Sequence, residues 1–335
     1  MNLTYREGWI DNLKGIGIIF IIFGHSISCP DLLIDYFFSF HVPLFFFIAG
    51  INFKSVLIED FVLFLEKRAR RLLVPYVFFN LVSYGFWLLR VKVFDAPQDV
   101  PILRPLLGIL YGNGHNKWLI HNEPLWFFIC LFMTQILLFL ILKFSKEKKH
   151  TILMLCLFTL IGYIDAKYLK FRLPWGIDVA ITAVVFSGLG YLLKGHLNIF
   201  KRFYHPLLLT VVLLINFLIS YFNGKIDMNY NKFNNIFLFY IGAFLGIFFW
   251  TSVSMKFGSS KILKYIGNNS LTILCLHIPI LLVIVKLFMI LNIPYSVQEN
   301  NIAFMLIHTI LTIVFIMPIN YLLNRFMPFF IGVKK

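Results

Sequence analysis

Apolar runs of about 20 residues recur ten times along this chain, and they constrain its fold more than any other feature. An α-helix needs about 20 residues to cross the roughly 30 Å of hydrocarbon in a bilayer. The sequence therefore predicts an all-α integral membrane protein with about ten transmembrane helices. The predicted spans are 12–29, 35–53, 72–89, 124–143, 151–168, 176–193, 205–222, 233–253, 268–291 and 302–323.

The composition favours a membrane protein over a soluble one. Of the 335 residues, 60% are hydrophobic and 13% are charged, whereas about a quarter of the residues in a soluble domain are charged. A net charge of +15 would suggest a nucleic-acid partner for a soluble protein. Here the basic residues lie between apolar runs, so membrane topology explains them first. We expect contacts with membrane lipids and none with nucleic acid.

The distribution of lysine and arginine favours one orientation across the membrane. With the N-terminus inside, the inner segments hold 19 basic residues, the outer segments 9, and the spans two, which accounts for all 30. Cytoplasmic loops carry the excess of basic residues, so both termini should be cytoplasmic. We expect one polytopic domain over 1–335 in the cytoplasmic membrane of a bacterium. Residues 91–123 would then form the longest extracytoplasmic loop, either a binding loop or a disordered connector.

Two ionisable residues in the first predicted span point to function. Lys14 and His25 are 11 residues apart, which puts them on one helix face and about 16 Å apart along the axis. Ionisable side chains inside spans are costly, and a neutral imidazole is the usual general base near neutral pH. One interpretation is a pathway through the protein that both residues line. The other is that Lys14 anchors the helix end and His25 packs within the bundle.

A basic cluster, EKRARRLLVPY, leads into the third predicted span. It contains Arg68, Arg70 and Arg71, which lie at the inner membrane surface in the predicted topology. Arginine binds phosphate in bidentate fashion, so the cluster suits a polyanion such as a nucleotide-like cofactor. Positive-inside anchoring or contact with anionic lipid headgroups also explains such a cluster, and for a lone cluster that explanation is the stronger.

Six further residues near span ends are candidates for substrate binding: His41, Glu123, Trp126, Asp178, Asn269 and His277. The short link at 30–34 makes the first two helices neighbours, so His25 and His41 could share a cavity. Several of the six have structural alternatives: an interfacial belt for Trp126, and helix caps for Asp178 and Asn269. Bundle packing is the alternative for His277. Two histidines without a clear third ligand make a poor metal site, so we expect no metal.

Five motifs, taken in order, resemble those of the membrane-bound acyltransferase family 3. Its members typically have a basic residue, ten residues and a histidine in the first span, which here are Lys14 and His25 in IDNLKGIGIIFIIFGHS. FSFHVPLFFFIAG, RARRLLVPY, PLWFF and IGNNSLTILCLH are similar to later motifs. The opening especially resembles the branch with fucose-type sugar O-acetylases. Much of the family has Arg where this chain has Lys14, which keeps the charge but loses the bidentate fork.

The resemblance implies an O-acyltransferase that moves an acetyl group from acetyl-CoA to a sugar hydroxyl of a surface polysaccharide or its lipid-linked precursor. It implies catalytic roles for His25 and Lys14, and binding of the donor's phosphates by Arg68, Arg70 and Arg71. His25 would either take the hydroxyl proton or carry the acyl group itself. The alternative function is a glycolipid flippase or transporter of the envelope-glycan pathway, although the sequence shows no internal repeat.

Overall fold

α-Helices make up almost the whole structure. The computed structural model describes residues 8–54, 60–93, 100–169, 171–258 and 260–332. No β-strand occurs within these ranges, so the all-α prediction is confirmed for them. The helices are α1 Gly8–His25, α2 Asp31–Ile51, α3 Phe61–Val93, α4 Leu103–Tyr111, α5 Trp126–Phe144, α6 Lys148–Tyr168, α7 Ile177–Leu193, α8 Asn198–Arg202, α9 Pro206–Asn223, α10 Ile236–Phe257, α11 Lys261–Asn268, α12 Ser270–Ile290, α13 Tyr295–Gln298 and α14 Ile302–Phe326.

Nine of the described helices are long and apolar enough to cross a membrane. They are α2, α3, α5, α6, α7, α9, α10, α12 and α14. A multi-span helical protein is therefore confirmed, with nine such helices in place of about ten. The predicted span that falls outside this set is α1, because Asp11, Asn12 and Lys14 near its start lower its mean hydropathy.

The first helix ends earlier than the predicted limit of residue 29. It stops at His25, and Ser28 N then donates a hydrogen bond of 3.3 Å to Ser26 Oγ. Serine side chains compete with the backbone for hydrogen bonds, and Pro30 disfavours helix at the residue before it. His25 consequently lies at the C-terminal end of α1, next to a polar turn.

Another predicted span begins later than the helix that contains it. α3 begins at Phe61 instead of residue 72, so the basic cluster lies inside this helix. The span was predicted from apolar residues alone, and the basic cluster precedes its apolar run. The predicted span 268–291 agrees with α12 to within two residues, and the short helix α11 ends just before it.

The chain folds into two compact units. The first comprises Met1–Asn52, Leu189–Asp227 and Phe233–Met317. The second comprises Phe53–Gly188, Met228–Lys232 and Pro318–Lys335. Each unit contains three chain segments, so residues distant in sequence meet within it. A single domain over 1–335 stays a prediction.

An aromatic cluster joins α1, α2 and α10 in the first unit. The ring of Phe20 lies 4.9 Å from that of Phe37 and 4.7 Å from that of Trp250, centroid to centroid. Trp250 Nε1 donates a hydrogen bond of 3.2 Å to the hydroxyl of Tyr36. Aromatic pairs at these separations stabilise beyond their buried area. The cluster therefore fixes α1 against α2, the two helices that carry His25 and His41.

Close backbone contact joins α11 to the first turns of α1. A Cβ atom on Gly267 would lie 1.8 Å from the carbonyl oxygen of Asp11, and one on Gly15 would lie 2.3 Å from that of Leu263. Only glycine allows this approach, because any side chain would collide with backbone. α11 consequently holds the part of α1 that carries Lys14.

The first unit also contains a cavity of about 370 Å³. Its lining comes from α2, α7, α8 and α10, and includes Phe47, Phe200 and Phe248. All nine lining residues are apolar. The cavity therefore offers no side chain for acid–base chemistry.

In the second unit, buried polar side chains attach the segment before α5 to α3. His121 Nε2 donates a hydrogen bond of 2.8 Å to Asn80 Oδ1, and Asn122 Nδ2 donates one of 2.9 Å to Ser83 Oγ. Burial lowers the pKa of His121 to about 4. This segment belongs to the predicted loop 91–123, of which 94–99 lie outside the described residues. The described part contains α4 and short 3₁₀ turns.

Candidate active site

His25 is a half-buried imidazole at the last residue of α1. After it, Ser26 N donates a hydrogen bond of 3.0 Å to the carbonyl oxygen of Phe23, which closes the helix. In the described part of the chain, neither ring nitrogen of His25 has a hydrogen-bond partner. Both nitrogens are therefore available to a substrate, as a general base requires.

Two aromatic neighbours in the first unit hold the His25 ring. Its centroid lies 5.2 Å from that of His277 and 5.8 Å from that of Phe38. Phe38 in turn lies 4.9 Å from His41, in an edge-on arrangement. The structure thus brings together three of the predicted site residues, His25, His41 and His277, which we call the imidazole cluster.

His41 and His277, the two buried members of the imidazole cluster, each form a hydrogen bond to a backbone carbonyl of their own helix. His41 Nδ1 donates to the carbonyl oxygen of Phe37, and His277 Nδ1 donates to that of Leu274 at 2.8 Å. A carbonyl group only accepts, so in the neutral rings Nδ1 carries the hydrogen and Nε2 is an acceptor. His277 Nε2 is buried and has no hydrogen-bond partner among the described residues. The cluster therefore offers acceptor nitrogens, which suits the removal of a proton.

A polar turn beyond His25 is held by a histidine of α14. His308 Nδ1 lies 3.2 Å from Ser28 Oγ and 3.5 Å from Ser26 Oγ, and all three residues are buried. The contact fixes the turn at which α1 ends. It therefore supports the position of His25 without touching its ring.

Lys14 lies on the same helix as His25, near the other end. Its Nζ is 3.5 Å from Oδ1 of Asp11, whose side chain is almost fully buried. α1 is continuous between the two predicted catalytic residues, so their separation along the axis is about 16 Å and they share one face. Lys14 is thus too far from His25 for both side chains to touch one substrate atom.

Lys225 lies beside the imidazole cluster, and sequence patterns did not single it out. It follows α9 and is exposed. Its Nζ is 5.6 Å from the ring centroid of Phe38, the residue that contacts both His25 and His41. The positive charge of Lys225 and the candidate base His25 therefore lie next to the same ring, that of Phe38.

A family model described as an acyltransferase domain matches residues 7–321, nearly the whole chain. The chain belongs to acyltransferase family 3. No curated protein and no solved structure matches it. Together with the nine apolar helices, the match confirms the prediction of a membrane acyltransferase. The fucose-type branch, the acetyl donor and the sugar acceptor stay predictions.

The acyltransferase carries its predicted phosphate-binding arginines on α3, in the second unit. The guanidinium carbon of Arg68 lies 5.6 Å from the ring centroid of Phe64, and that of Arg70 lies 5.6 Å from the ring centroid of Phe329. The Nε atoms of both arginines are buried without a hydrogen-bond partner in the described ranges. Arg71 is exposed. Arg68 and Arg70 thus each have a buried donor to offer, but they lie against different aromatic rings.

Two predicted substrate-binding carboxylates of the acyltransferase lie in hydrogen-bond networks of the second unit. Glu123 Oε1 accepts bonds from Asn229 Nδ2 at 3.1 Å and from the Tyr230 hydroxyl at 2.5 Å. Asp178 forms a bidentate ion pair with Arg172. Arg172 Nη1 also donates to the carbonyl oxygen of Asn229, so these contacts bring together three segments between long helices. A role in substrate binding stays a prediction.

Two other predicted binding residues have structural contacts. Asn269 Nδ2 donates a hydrogen bond of 2.8 Å to the carbonyl oxygen of Tyr265, at the break between α11 and α12. Trp126 is buried, and its ring lies 6.3 Å from that of Phe127. Asn269 thus caps the end of α11, and its side chain makes no capping hydrogen bond to the start of α12. Trp126 is packed inside the protein, and for both residues substrate binding stays untested.

Sequence reasoning missed Phe38 and Lys225. Phe38 opens the FSFHVPLFFFIAG motif, so the motif itself was a pattern that could have identified it. Lys225 is 200 residues from His25 and belongs to no motif. Only the folded first unit shows that it lies beside the imidazole cluster of the acyltransferase.

Proposed function

We propose that the protein is a membrane O-acetyltransferase. It moves an acetyl group from acetyl-CoA to a hydroxyl of an envelope sugar, in a surface polysaccharide or its lipid-linked precursor. The observation that carries the proposal is His25: a half-buried imidazole with both nitrogens free among the described residues, within an acyltransferase family 3 domain. Transfer of an acyl group to a hydroxyl needs a base at the attacking oxygen, and imidazole is suited to it.

His25 acts as that base in the direct route. It takes the hydroxyl proton while the sugar oxygen attacks the thioester carbonyl carbon, so that a C–O bond forms. The C–S bond then breaks, and the proton passes to the leaving thiolate to give free CoA thiol. In the covalent route, a ring nitrogen of His25 attacks the thioester carbonyl carbon, the C–S bond breaks, and CoA leaves as the thiol with the ring proton. The sugar oxygen then attacks the acetyl carbon, the N–C bond breaks, and the hydroxyl proton passes to the freed imidazole.

Basic residues of the protein are suited to bind the phosphate groups of the donor. Arg68 and Arg70 have buried Nε donors without partners in the described ranges, and Arg71 is exposed. Phosphate oxygens are the acceptors that fit such donors. Lys14 adds a positive charge on the helix that ends at His25. We propose that the arginines bind the phosphates of acetyl-CoA and that the charge of Lys14 contributes to use of the donor, with both termini of the protein in the cytoplasm of a bacterium.

The test uses membranes that contain the full chain, incubated with acetyl-CoA labelled in its acetyl group and with cell-envelope glycan. We expect label in an alkali-labile ester on the glycan, and none with membranes that carry His25→Ala. Movement of glycolipid across the membrane without transfer of label would support a flippase instead. Label that stays on the protein when glycan is omitted would indicate the covalent route.

A further inference from the structure

Lys225 is held next to the candidate base by a single aromatic ring. Its Nζ lies 5.6 Å from the Phe38 ring centroid, and the Phe38 ring lies 5.8 Å from that of His25. Lys225 and His25 thus both lie next to the Phe38 ring. This arrangement is suitable for a molecule that places a hydroxyl at His25 and a second group at Lys225.

The ammonium of Lys225 is available to a ligand. No carboxylate lies within 4.0 Å of it in the described part of the chain. Asp35 of α2 interacts with it electrostatically at longer range. A solvent-accessible cation over an aromatic ring is held only weakly, so an anion can readily draw the ammonium from Phe38.

The imidazole cluster itself supplies no other positive charge for such a second group of the substrate. His41 and His277 donate through Nδ1 to backbone carbonyls, and both are buried. Lys14 lies about 16 Å from His25 along α1. Lys225 is thus the charged group positioned for a substituent of the molecule whose hydroxyl reacts at His25.

We propose that Lys225 determines acceptor specificity and that the acceptor sugar carries an anionic substituent, a carboxylate or a phosphate. The inference rests on the proposed function, because it assigns the reacting hydroxyl to His25. The anion binds the Lys225 ammonium beside Phe38, and this orients the sugar so that one hydroxyl reaches the imidazole. Opposite charges in contact near a protein surface attract strongly enough to separate charged from neutral sugars.

Acetyl transfer to three small acceptors tests the inference with the full chain in membranes or detergent. The acceptors are nitrophenyl glucuronide, which carries a carboxylate, a glucose phosphate, and the neutral nitrophenyl glucoside. We expect kcat/KM for at least one charged acceptor to exceed that for the glucoside by about tenfold or more. The charged acceptor with the higher kcat/KM shows whether carboxylate or phosphate is the recognised group.

Variants at Lys225 test whether this residue causes the preference for charged acceptors. Lys225→Met should raise KM for the charged acceptor by about tenfold, leave kcat nearly unchanged, and leave the glucoside unaffected. Lys225→Arg should restore most of the preference, since it keeps the charge. Lys201→Met removes the same charge from another exposed lysine of the first unit and should behave as wild type.

The outcomes separate this inference from the proposed function. Transfer to all three sugars without preference, or an equal loss for all three in Lys225→Met, would overturn the inference and leave the acetyltransferase intact. If no sugar is acetylated, binding is measured by the thermal midpoint of the detergent-solubilised protein with each sugar. A Lys225-dependent increase with charged sugars alone would support the anion site, and no increase would overturn it. Label transfer to glycan decides the proposed function separately in both cases.

Discussion

The imidazole rings of His25 and His277 lie 5.2 Å apart, centroid to centroid, with their planes at 51°. The first ring is half-buried at the end of α1, and the second is fully buried within α12. A proton taken up by His25 would therefore lie next to a ring whose Nε2 accepts hydrogen bonds. The pair combines access for substrate with a sheltered polar neighbour.

Replacement of His25 by alanine should abolish acetyl transfer. Loss of the base should lower the rate by about a hundredfold or more, while expression and the thermal midpoint stay near those of wild type. The measurement is the initial rate of label transfer from acetyl-CoA in membranes. His196→Ala changes an exposed histidine of the same unit and serves as the control. A wild-type rate in His25→Ala would remove this residue from the mechanism.

Replacement of His277 by phenylalanine should separate activity from stability. The variant keeps a ring against His25 but removes the buried Nε2, which has no hydrogen-bond partner among the described residues. Removal of a buried unsatisfied acceptor relieves a cost of about 1–3 kcal/mol, so the thermal midpoint should hold or rise. Transfer should fall by about tenfold or more. Unchanged transfer with a lower midpoint would make His277 a packing residue.

The charge of Lys14 should matter more than its shape. Lys14→Arg should retain substantial activity, because it keeps the positive charge beside Asp11, whereas Lys14→Ala should lose it. The measurement is KM for acetyl-CoA at saturating acceptor, which reports how far the charge at position 14 contributes to use of the donor. Equal activity in both variants would show that the charge is not needed.

Acid should weaken the second unit through His121. Burial lowers the pKa of this group to about 4, so the unfolded chain takes up its proton at a higher pH than the folded one. Stability is therefore present above the ordinary pKa of about 6.5 and is lost as the pH falls from there towards 4. At about pH 5 the loss is about 2 kcal/mol.

A glutamine in place of His121 tests this pH dependence. His121→Gln can still donate to Asn80 but does not titrate, so its thermal midpoint should fall less than that of wild type between about pH 7 and about pH 5. His196→Gln, at an exposed position, should keep the wild-type dependence. An identical decrease in wild type and His121→Gln would exclude His121 as the source.

A methyl group on Gly267 should separate α11 from α1. Its Cβ would lie 1.8 Å from the Asp11 carbonyl oxygen, so the backbone must move, at a cost of about 3 kcal/mol or more. Gly85→Ala, inside α3, meets nothing within 4 Å and should be neutral or stabilising by up to about 1 kcal/mol. Thermal midpoints in detergent measure both. Tolerance of Gly267→Ala would show that the two helices are not tightly packed.

The sequence predicted those parts of the fold and site that follow from apolar length and local spacing. Hydropathy identified α2, α5 and α12 because lipid imposes one length on every span. The spacing of Lys14 and His25 could be converted into a shared helix face because an α-helix has a fixed period. The closeness of His25 and His41 followed from the short link between their helices.

Other parts depend on tertiary contacts that leave no local pattern. The meeting of His25 with His277 joins residues 252 positions apart, and nothing in either motif indicates the partner. The position of Lys225 at Phe38 depends on where the end of α9 lies against α2. The end of α1 at His25 was missed because apolar counting ignores the serines and Pro30 that follow.

The hydrogen bonds of His41 and His277 to their own helices set which proton each ring can exchange. Nδ1 of each ring is engaged by a carbonyl oxygen one turn earlier, at Phe37 and Leu274. Flipping either ring would break that bond inside a packed bundle. Two helical turns thus determine which nitrogen of each ring can accept a proton. A redesign of the reaction that needs the other nitrogen would have to change those turns before any substrate contact.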